Sequence, residues 1–318
     1  MPDPRPPSPF TLWLEEALTG WILPVAGLVA LGIAAGLYLL GYLPEGATAA
    51  VVAVLAGLLA AVHVVKPALA PRADGVARIL AGIAAAGALV LAVVPPVESV
   101  TPGTPLIEGS LPERGATIAL PASTPSHVRL LVHVPLPQTG TPEVRFRITG
   151  TEPPAEGKLE RTYSSARVGR SGRTQVAHDR SSTYVATRLA GGAPALVLDR
   201  LSGERAGDLQ VAVFPDRIPP ALHWTLAIAV VLLAAAAEAR LRKGSSAAVA
   251  GMAVAFGLLV ADNATPTSAI GTTLGSVLLG GIAGAAAGGL AAFLAKRVVP
   301  AAPPPPRAAA AAAAQRSR

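Results

Sequence analysis

Apolar residues are gathered into six long stretches, three before and three after a polar insert. Each stretch approaches the roughly 20 apolar residues that a helix needs to cross about 30 Å of hydrocarbon. Because backbone amides in lipid must find partners within their own segment, the pattern predicts a polytopic α-helical membrane protein with six transmembrane helices in a 3+3 arrangement. The stretches are Trp21–Tyr42, Ala49–Val65, Val76–Val94, Leu222–Ala237, Ser246–Ala261 and Ile270–Ala295.

Composition divides the chain into five segments. The first precedes an apolar run that is too long and too far from the N-terminus for a cleaved signal peptide, which predicts a retained signal anchor. The last is rich in Pro and Ala and lacks the apolar variety of a core, so we expect disorder there. The predicted segments are a cytoplasmic or interfacial segment at 1–20, helices 1–3 at 21–96, the inserted domain at 97–219, helices 4–6 at 220–299 and a cytoplasmic tail at 300–318.

Polar and apolar residues alternate with a period of two through the insert. Val128, Leu130 and Val132 share one face of such a segment, and Val144 and Phe146 share a face in the next. Alternating segments separated by Gly- and Pro-rich turns predict an all-β antiparallel sandwich domain, with either an immunoglobulin-like or a jelly-roll strand order. The predicted strands are Thr117–Leu120, His127–Val134, Glu143–Thr149, Lys158–Tyr163, Thr183–Leu189, Ala195–Leu201 and Asp208–Phe214.

Paired prolines flank the insert at Pro95-Pro96 and Pro219-Pro220. Proline lacks the N–H of a helical hydrogen bond and favours extended backbone. We therefore expect the first pair to end helix 3. The pairs either hold the inserted domain close to the bilayer or are simply helix stops.

Basic residues near the helix ends predict the orientation. They follow helices 2, 4 and 6, whereas the alternate loops at 43–46 and 262–268 contain no Lys or Arg. Since basic residues in short loops stay in the cytoplasm, both termini are predicted to be cytoplasmic and residues 97–219 extracytoplasmic. The residues that decide this are Lys66, Arg72, Arg78, Arg240, Arg242, Lys243, Lys296 and Arg297.

Composition indicates the type of membrane and limits the classes of partner and of chemical site. Of the 26 basic residues 22 are Arg, a bias typical of GC-rich bacterial genomes, and we expect a bacterial cytoplasmic (inner) membrane protein. The formal charge is +7, but the insert contributes only +2, and the remainder lies where membrane topology requires it, so no nucleic-acid partner is expected. The chain has no cysteine, which excludes disulfides, thiolate metal sites and a Cys nucleophile.

Small residues recur every four positions on three predicted helices. Such ridges allow two helix backbones to approach closely, which stabilises helix pairs in lipid. Packing within the six-helix bundle explains them, and a homo-oligomer interface through the sixth helix is the alternative. The predicted packing residues are Gly32 and Gly36 in helix 1, Gly57 in helix 2, and Ser276, Gly280, Gly284 and Gly288 in helix 6.

Candidate chemistry in the insert is sparse. His178-Asp179 with Ser181 and Ser182 supplies the residue types of a hydrolytic triad, but triad groups normally converge from separate elements, so a polar turn between strands is predicted. Arg167, Arg170 and Arg173 lie on a Gly-containing segment and could contact an anionic lipid or an acidic partner. The alternative is a solvated hairpin loop.

These observations favour a non-enzymatic membrane protein. The sequence contains no HExxH, GxSxG or GxxxxGK[ST] motif, and no catalytic, cofactor-binding or metal site is predicted. We expect the β-sandwich to bind or assemble with another envelope component, with membrane lipid and a protein partner or homo-oligomer as partners. The main alternative is a channel or transporter in which the two three-helix halves form the path and the β domain gates it or captures substrate. A membrane-embedded enzyme is the third hypothesis.

Overall fold

The computed structural model describes residues 22–300 apart from 71–72, 169–171, 192–194, 217–219 and 267. The N-terminal segment and almost all of the tail lie outside these residues. Within the described part, six α-helices and one short 3₁₀ helix, Lys66–Leu69, flank a β domain. The helices are α1 (Ile22–Leu39), α2 (Glu45–Val65), α3 (Gly75–Val100), α4 (Pro220–Leu241), α5 (Ser246–Asn263) and α6 (Ala269–Val298).

Five of the described helices, α2 to α6, have the length and apolar composition needed to cross a bilayer. The apolar part of α1, Val25–Leu39, is shorter, so the sixth span stays a prediction. The bundle interior consists largely of alanine, whereas bulky side chains such as Ile79, Leu278 and Ile282 point outward. Large apolar residues on the outside and small ones inside are the arrangement expected of helices surrounded by lipid.

The prediction that Pro95-Pro96 ends helix 3 is wrong. Both prolines are buried inside α3, which continues to Val100. Pro95 leaves the carbonyl of Leu91 without its helical donor. That carbonyl lies against Gly257 of α5, where a Cβ atom would overlap it. Close packing on α5 therefore stabilises a proline-containing segment that local propensity would have ended.

Glycines bring α5 and α6 into backbone contact. A Cβ atom on Gly280 would overlap the backbone at Phe256, one on Gly284 the carbonyl of Gly251, and one on Gly288 the carbonyl of Ala247. Such close approach is possible only where the side chain is a hydrogen atom. The glycines of α6 thus fix its separation from α5.

Polar contacts join the helices at the end of the bundle away from the β domain. Asp74 caps α3 by accepting a hydrogen bond from the Ala77 N–H at 2.9 Å, and its carboxylate also accepts one from Arg240 Nε of α4 at 3.0 Å. Glu238 is 4% exposed and accepts from Lys296 Nζ at 2.8 Å. Both carboxylates therefore have charged partners, as burial at this end requires.

The β domain contains two antiparallel sheets within the described residues. One sheet has the strand order β1-β10-β3-β8-β5 and the other β2-β9-β4-β6-β7. The predicted antiparallel β structure of the insert is therefore confirmed. The strands are β1 (Ile107–Leu111), β2 (Thr117–Ala119), β3 (His127–His133), β4 (Glu143–Thr149), β5 (Thr151–Glu152), β6 (Ala155–Val168), β7 (Gly172–Arg180), β8 (Ser182–Leu189), β9 (Ala195–Gly203) and β10 (Leu209–Pro215).

The predicted strand faces agree with the burial. Leu130 of the first sheet and Phe146 of the second are buried in one hydrophobic cluster, which contains residues of both sheets. The polar turn predicted at His178-Asp179 is wrong, because both residues lie in β7. Strand β7 was overlooked because its sequence, GRTQVAHDR, has little apolar alternation, and pairing with β6 stabilises it instead.

Replacing Gly288 with Ala tests the contact between α5 and α6. We expect Gly288→Ala to destabilise the bundle by about 1–3 kcal/mol, as overpacking does, because its methyl group would overlap the Ala247 carbonyl. Gly289→Ala is the matched control, since nothing lies within 4 Å of a Cβ atom there, and it should be neutral or stabilising. Thermal unfolding in detergent measures both. Equal unfolding temperatures for the two variants would contradict the close packing.

The Asp74–Arg240 pair predicts an acid-sensitive contribution to stability. The hydrogen bond from Arg240 holds the pKa of Asp74 below its ordinary value of 3.8, with a smaller contribution from the Ala77 N–H. A lowered folded-state pKa stabilises the fold above the unfolded-state pKa, and this stabilisation is lost as the pH falls through the folded-state value. A double-mutant cycle of Asp74→Asn with Arg240→Met should give a coupling of about 1.5 kcal/mol near neutral pH.

Asn retains the capping oxygen, so the cycle isolates the contact between the other carboxylate oxygen and Arg240. Unfolding measured across the acid range should show the coupling disappearing at low pH. A coupling that stays constant in acid would show that the Asp74 carboxylate charge is not its source.

Candidate binding site between the β domain and the helices

The β domain contacts the bundle through the outer face of its first sheet. Arg129 lies on that face of β3, between Phe214 of β10 and Ala186 of β8. Its guanidinium donates from Nη2 to Ser99 Oγ of α3 and to the carbonyl oxygen of Ala261 of α5, each at 2.9 Å. One side chain of the domain therefore bonds to the ends of two helices.

Arg129 satisfies a helix terminus. The last carbonyls of a helix lack donors from their own helix and carry partial negative charge. The helical donor for Ala261 O would be the Thr265 N–H, which instead donates to Ser268 Oγ at 3.3 Å. Ser99 Oγ also lies 3.1 Å from Ala261 O. The guanidinium thus supplies the missing donor and places positive charge at the C-terminal end of α5.

Tyr184 of β8 caps the neighbouring helix. Its hydroxyl donates to the backbone oxygen of Ser99 in the last turn of α3, at 3.1 Å. The ring lies under the Arg129 guanidinium, 4.4 Å from centroid to Cζ, and meets Phe214 edge to face at 6.5 Å between centroids. Burial raises the pKa of Tyr184 to about 12 against the opposing effect of Arg129, so the hydroxyl stays protonated and able to donate. A further bond joins Ser182 Oγ to Thr265 Oγ1 at 2.9 Å.

A polar cavity of about 200 Å³ lies beside these contacts. An adjoining hollow of about 340 Å³ shares Glu98, Arg129 and Tyr184 with it. The lining carries three carboxylates, one guanidinium and one imidazole, a mixture that can bind both cationic and anionic groups. The residues that line the cavity are Pro95, Glu98, Arg129, Tyr184, Ala186, Asp216, His223, Ala261 and Asp262.

His223 is the exceptional residue of this cavity. It lies in the first turns of α4, is only 5% exposed, and its Nε2 atom has no hydrogen-bond partner in the part of the chain that the structure describes. A buried polar atom without a partner loses its hydration without compensation. Nε2 itself has almost no accessible surface, so His223 meets the cavity through other atoms and this nitrogen is an uncompensated polar group of the fold.

The described residues of the cavity offer charged and hydrogen-bonding groups that could bind a polar ligand. Among the described residues, the lining of this cavity includes no Ser, Thr or Cys, and the Tyr184 hydroxyl donates to α3. Within the described residues, no three His, Cys, Asp or Glu side chains lie together in a way that would hold a metal ion.

The predicted site residues lie elsewhere. Arg167 and Arg173 are partners in the β6–β7 hairpin, and Arg170 lies outside the described residues. Gly57 packs on Val93 and Leu89 of α3. Gly280, Gly284 and Gly288 pack on α5, and Ser276 is buried on the same face of α6, whereas nothing lies within 4 Å of a Cβ atom on Gly32 or Gly36.

Sequence reasoning missed the residues of the cavity. The alternation of β3 places Arg129 on the face opposite Val128 and Leu130, but nothing in the sequence indicates that this face meets helices. A usable signal existed in His223 and Asp262, because both are polar residues at the domain-side ends of predicted transmembrane helices.

No protein-family model, curated protein or solved structure matches this chain, so the interpretation of the cavity depends on its geometry alone.

Replacing Arg129 tests the docking of the domain. We expect Arg129→Met to destabilise the protein by about 3 kcal/mol, because two helix-end acceptors lose a charged donor. Arg145→Met is the matched control, since this exposed Arg pairs only with Glu143 on the surface of β4 and should cost about 0–1 kcal/mol. Thermal unfolding gives the energies, and limited proteolysis at 101–106 reports detachment of the domain. Unchanged proteolysis in Arg129→Met would contradict its role as the anchor.

Proposed function

We propose that this chain is a non-enzymatic protein of the bacterial inner membrane that uses its β domain to bind or assemble with another envelope component. In this proposal α1 to α6 all span the bilayer, both termini are cytoplasmic, and the two sheets form a sandwich outside the cytoplasm. The shared hydrophobic cluster of the sheets supports the sandwich. The basic residues Arg240, Lys243, Lys296 and Arg297 lie at the bundle end away from the domain, which supports the orientation.

The observation that carries the proposal is a hairpin that extends beyond its sheet. Strand β6 pairs with β4 only over 155–160 and continues to Val168 paired with β7 alone. Two strands by themselves are marginally stable in water, and an edge strand such as β7 has unpaired donors and acceptors. Edge strands of this kind accept a strand from another chain.

The base of the hairpin is fixed, whereas beyond residue 160 the described part of β6 pairs with β7 and no longer with β4. Arg161 of β6 donates to Asp179 of β7 at 2.6 Å and also to the carbonyl of Pro137. Arg167 and Arg173 are Cα partners in β6 and β7, and together with Arg170, which stands between them in the sequence, they would supply the positive charge for an acidic partner. With the domain anchored by Arg129, the hairpin has a defined position relative to the membrane.

The channel or transporter hypothesis has one observation in its favour, the polar cavity at the helix ends. A path through the bundle would have to avoid the boundary between α5 and α6, where backbone atoms meet at Gly251 and Gly284. The buried Glu238 is paired with Lys296. Solute flux into proteoliposomes containing the chain alone would favour this hypothesis over assembly.

Shortening the hairpin tests the assembly proposal. Residues 164–176 are replaced by Asn-Gly, which turns tightly between Tyr163 and Ala177, the Cα partners that would flank the new turn. We expect the wild-type protein, extracted from its native membrane in mild detergent, to retain a partner or a defined oligomer, and the shortened variant to lose it by at least about tenfold. Mass spectrometry of cross-linked complexes identifies the partner.

Arg145→Gln, on the exposed face of the same sheet, is the control and should retain the complex. Recovery of wild-type monomer alone, or an intact complex with the shortened hairpin, would contradict the proposal.

A further inference from the structure

Strand β7 forms one end of the second sheet. Its residues, Gly172–Arg180, pair with β6 on one side, and within the described residues no strand pairs with the other side. The strand contains no proline, so every residue keeps the N–H that a ladder of hydrogen bonds requires. The free edge can therefore accept a strand along its whole length.

A strand of identical sequence fits this edge in one register. In an antiparallel pair, alternate residues direct their N–H and C=O groups to the neighbouring strand. Two copies of β7 present the same alternate residues, so a symmetric register must be centred on a single residue. Centring on Val176 is the choice that pairs every residue of β7, and it supplies about eight to ten hydrogen bonds.

The charges of β7 match in that register. It places Arg173 opposite Asp179 of the second copy, Asp179 opposite Arg173 of the second copy, and Arg180 opposite Gly172. Opposite charges at directly opposite positions stabilise an antiparallel pair, and like charges destabilise it. The register therefore contains two attractive pairs, related by the two-fold axis, and no directly opposite like charges.

The second copy would also compensate a repulsion within the hairpin. Arg167 of β6 and Arg173 of β7 are Cα partners, so two like charges stand at opposite positions. Asp179 is the Cα partner of Arg161, whose Nη2 donates to Asp179 Oδ2 at 2.6 Å, and the Asp179 side chain is still 40% exposed. Since a carboxylate accepts on both oxygens, Asp179 can also accept from Arg173 of the second copy.

The attachment of the β domain makes this pairing compatible with a single membrane. The two-fold axis of a symmetric antiparallel strand pair is perpendicular to the sheet. The outer face of the first sheet rests on the ends of α5 and α3 through Arg129 and Tyr184, and the second sheet shares a hydrophobic cluster with the first. With the sheets stacked as in the proposed sandwich, the axis runs roughly along the helices. The helices of both copies would then enter the bilayer from the same side.

We propose that the component bound by the β6–β7 hairpin is a second copy of this chain, held by antiparallel pairing of β7 with β7 about Val176. The second sheets of the two copies then form one continuous sheet across the two-fold axis of a homodimer. This inference rests on the proposed function, because it assigns the partner of the same surface.

Single cysteines in the full chain test the register, since the natural chain has none. Val176→Cys would place two thiols directly opposite each other, at a Cα separation that a disulfide can span. Thr174→Cys is the matched control on the same strand, because its counterpart in the second copy would lie four residues along, or about 13 Å away. Under mild oxidation in native membranes, we expect at least about tenfold more disulfide-linked dimer for Val176→Cys, measured by non-reducing electrophoresis. Equal cross-linking of the two variants, or none at position 176, would overturn the proposal.

Charge reversal separates pairing from folding. Arg173→Asp places a carboxylate opposite Arg167 in the same chain, which favours the hairpin, but also opposite Asp179 of the second copy, which disfavours the dimer. Two differently tagged chains that both carry Arg173→Asp should therefore co-purify at least about tenfold less than wild-type chains. Arg173→Asp paired with Asp179→Arg should co-purify again, because both rows then contain opposite charges. Undiminished co-purification of the first pair, or no recovery in the second, would contradict the register.

The homodimer and the proposed function fail in different ways. A complex that is lost with the shortened hairpin but contains a different protein, without a cross-link at position 176, would overturn the homodimer and leave the proposed function standing. A complex that survives the shortened hairpin would contradict both.

Discussion

The capping of two helix C-termini by side chains of the β domain holds the two parts of this protein together. One hydrophobic cluster lies entirely among the helices and another entirely within the β domain. The junction between them is polar, so its strength comes from directional bonds. Arg129 and Tyr184 supply donors to carbonyls at the ends of α5 and α3, which their own helices leave unsatisfied. Because hydrogen bonds depend on angle and distance, this capping fixes the orientation of the domain as well as its attachment.

The helix packing makes that capping possible. The continuation of α3 past Pro95 and Pro96 places Ser99 at the junction, and the contact of Gly257 with the Leu91 carbonyl holds α5 beside it. Towards the middle of the bundle, the backbones of α5 and α6 are in contact at Gly251 and Gly284. The same two glycines also line an apolar groove beside α4. The small residues therefore serve two purposes, since they bring backbones together and leave room beside bulkier neighbours on α4.

The anchoring of the β domain also bears on the proposed assembly function. A domain held by several bonds at the membrane surface presents its β6–β7 hairpin at a fixed position, which favours a platform for another component over a mobile capture module. The hairpin is fixed at its base by Arg161 and Asp179, through contacts separate from those of Arg129 with the helix ends.

The sequence by itself determined the helical segments and the strands β3 and β4, because transmembrane helices and alternating strands are each specified by local periodicity. It could not determine that α3 continues through Pro95-Pro96, because packing on α5 outweighs the local propensity to end the helix. It also could not determine strand β7, because pairing with β6 stabilises that strand. The binding site was decided only by the tertiary structure. Arg129, His223 and Asp262 are far apart in the chain, and they lie around one cavity because the polar face of a sheet rests on helix ends. Periodicity indicates which face is polar, but only the packing of the two parts determines what that face contacts.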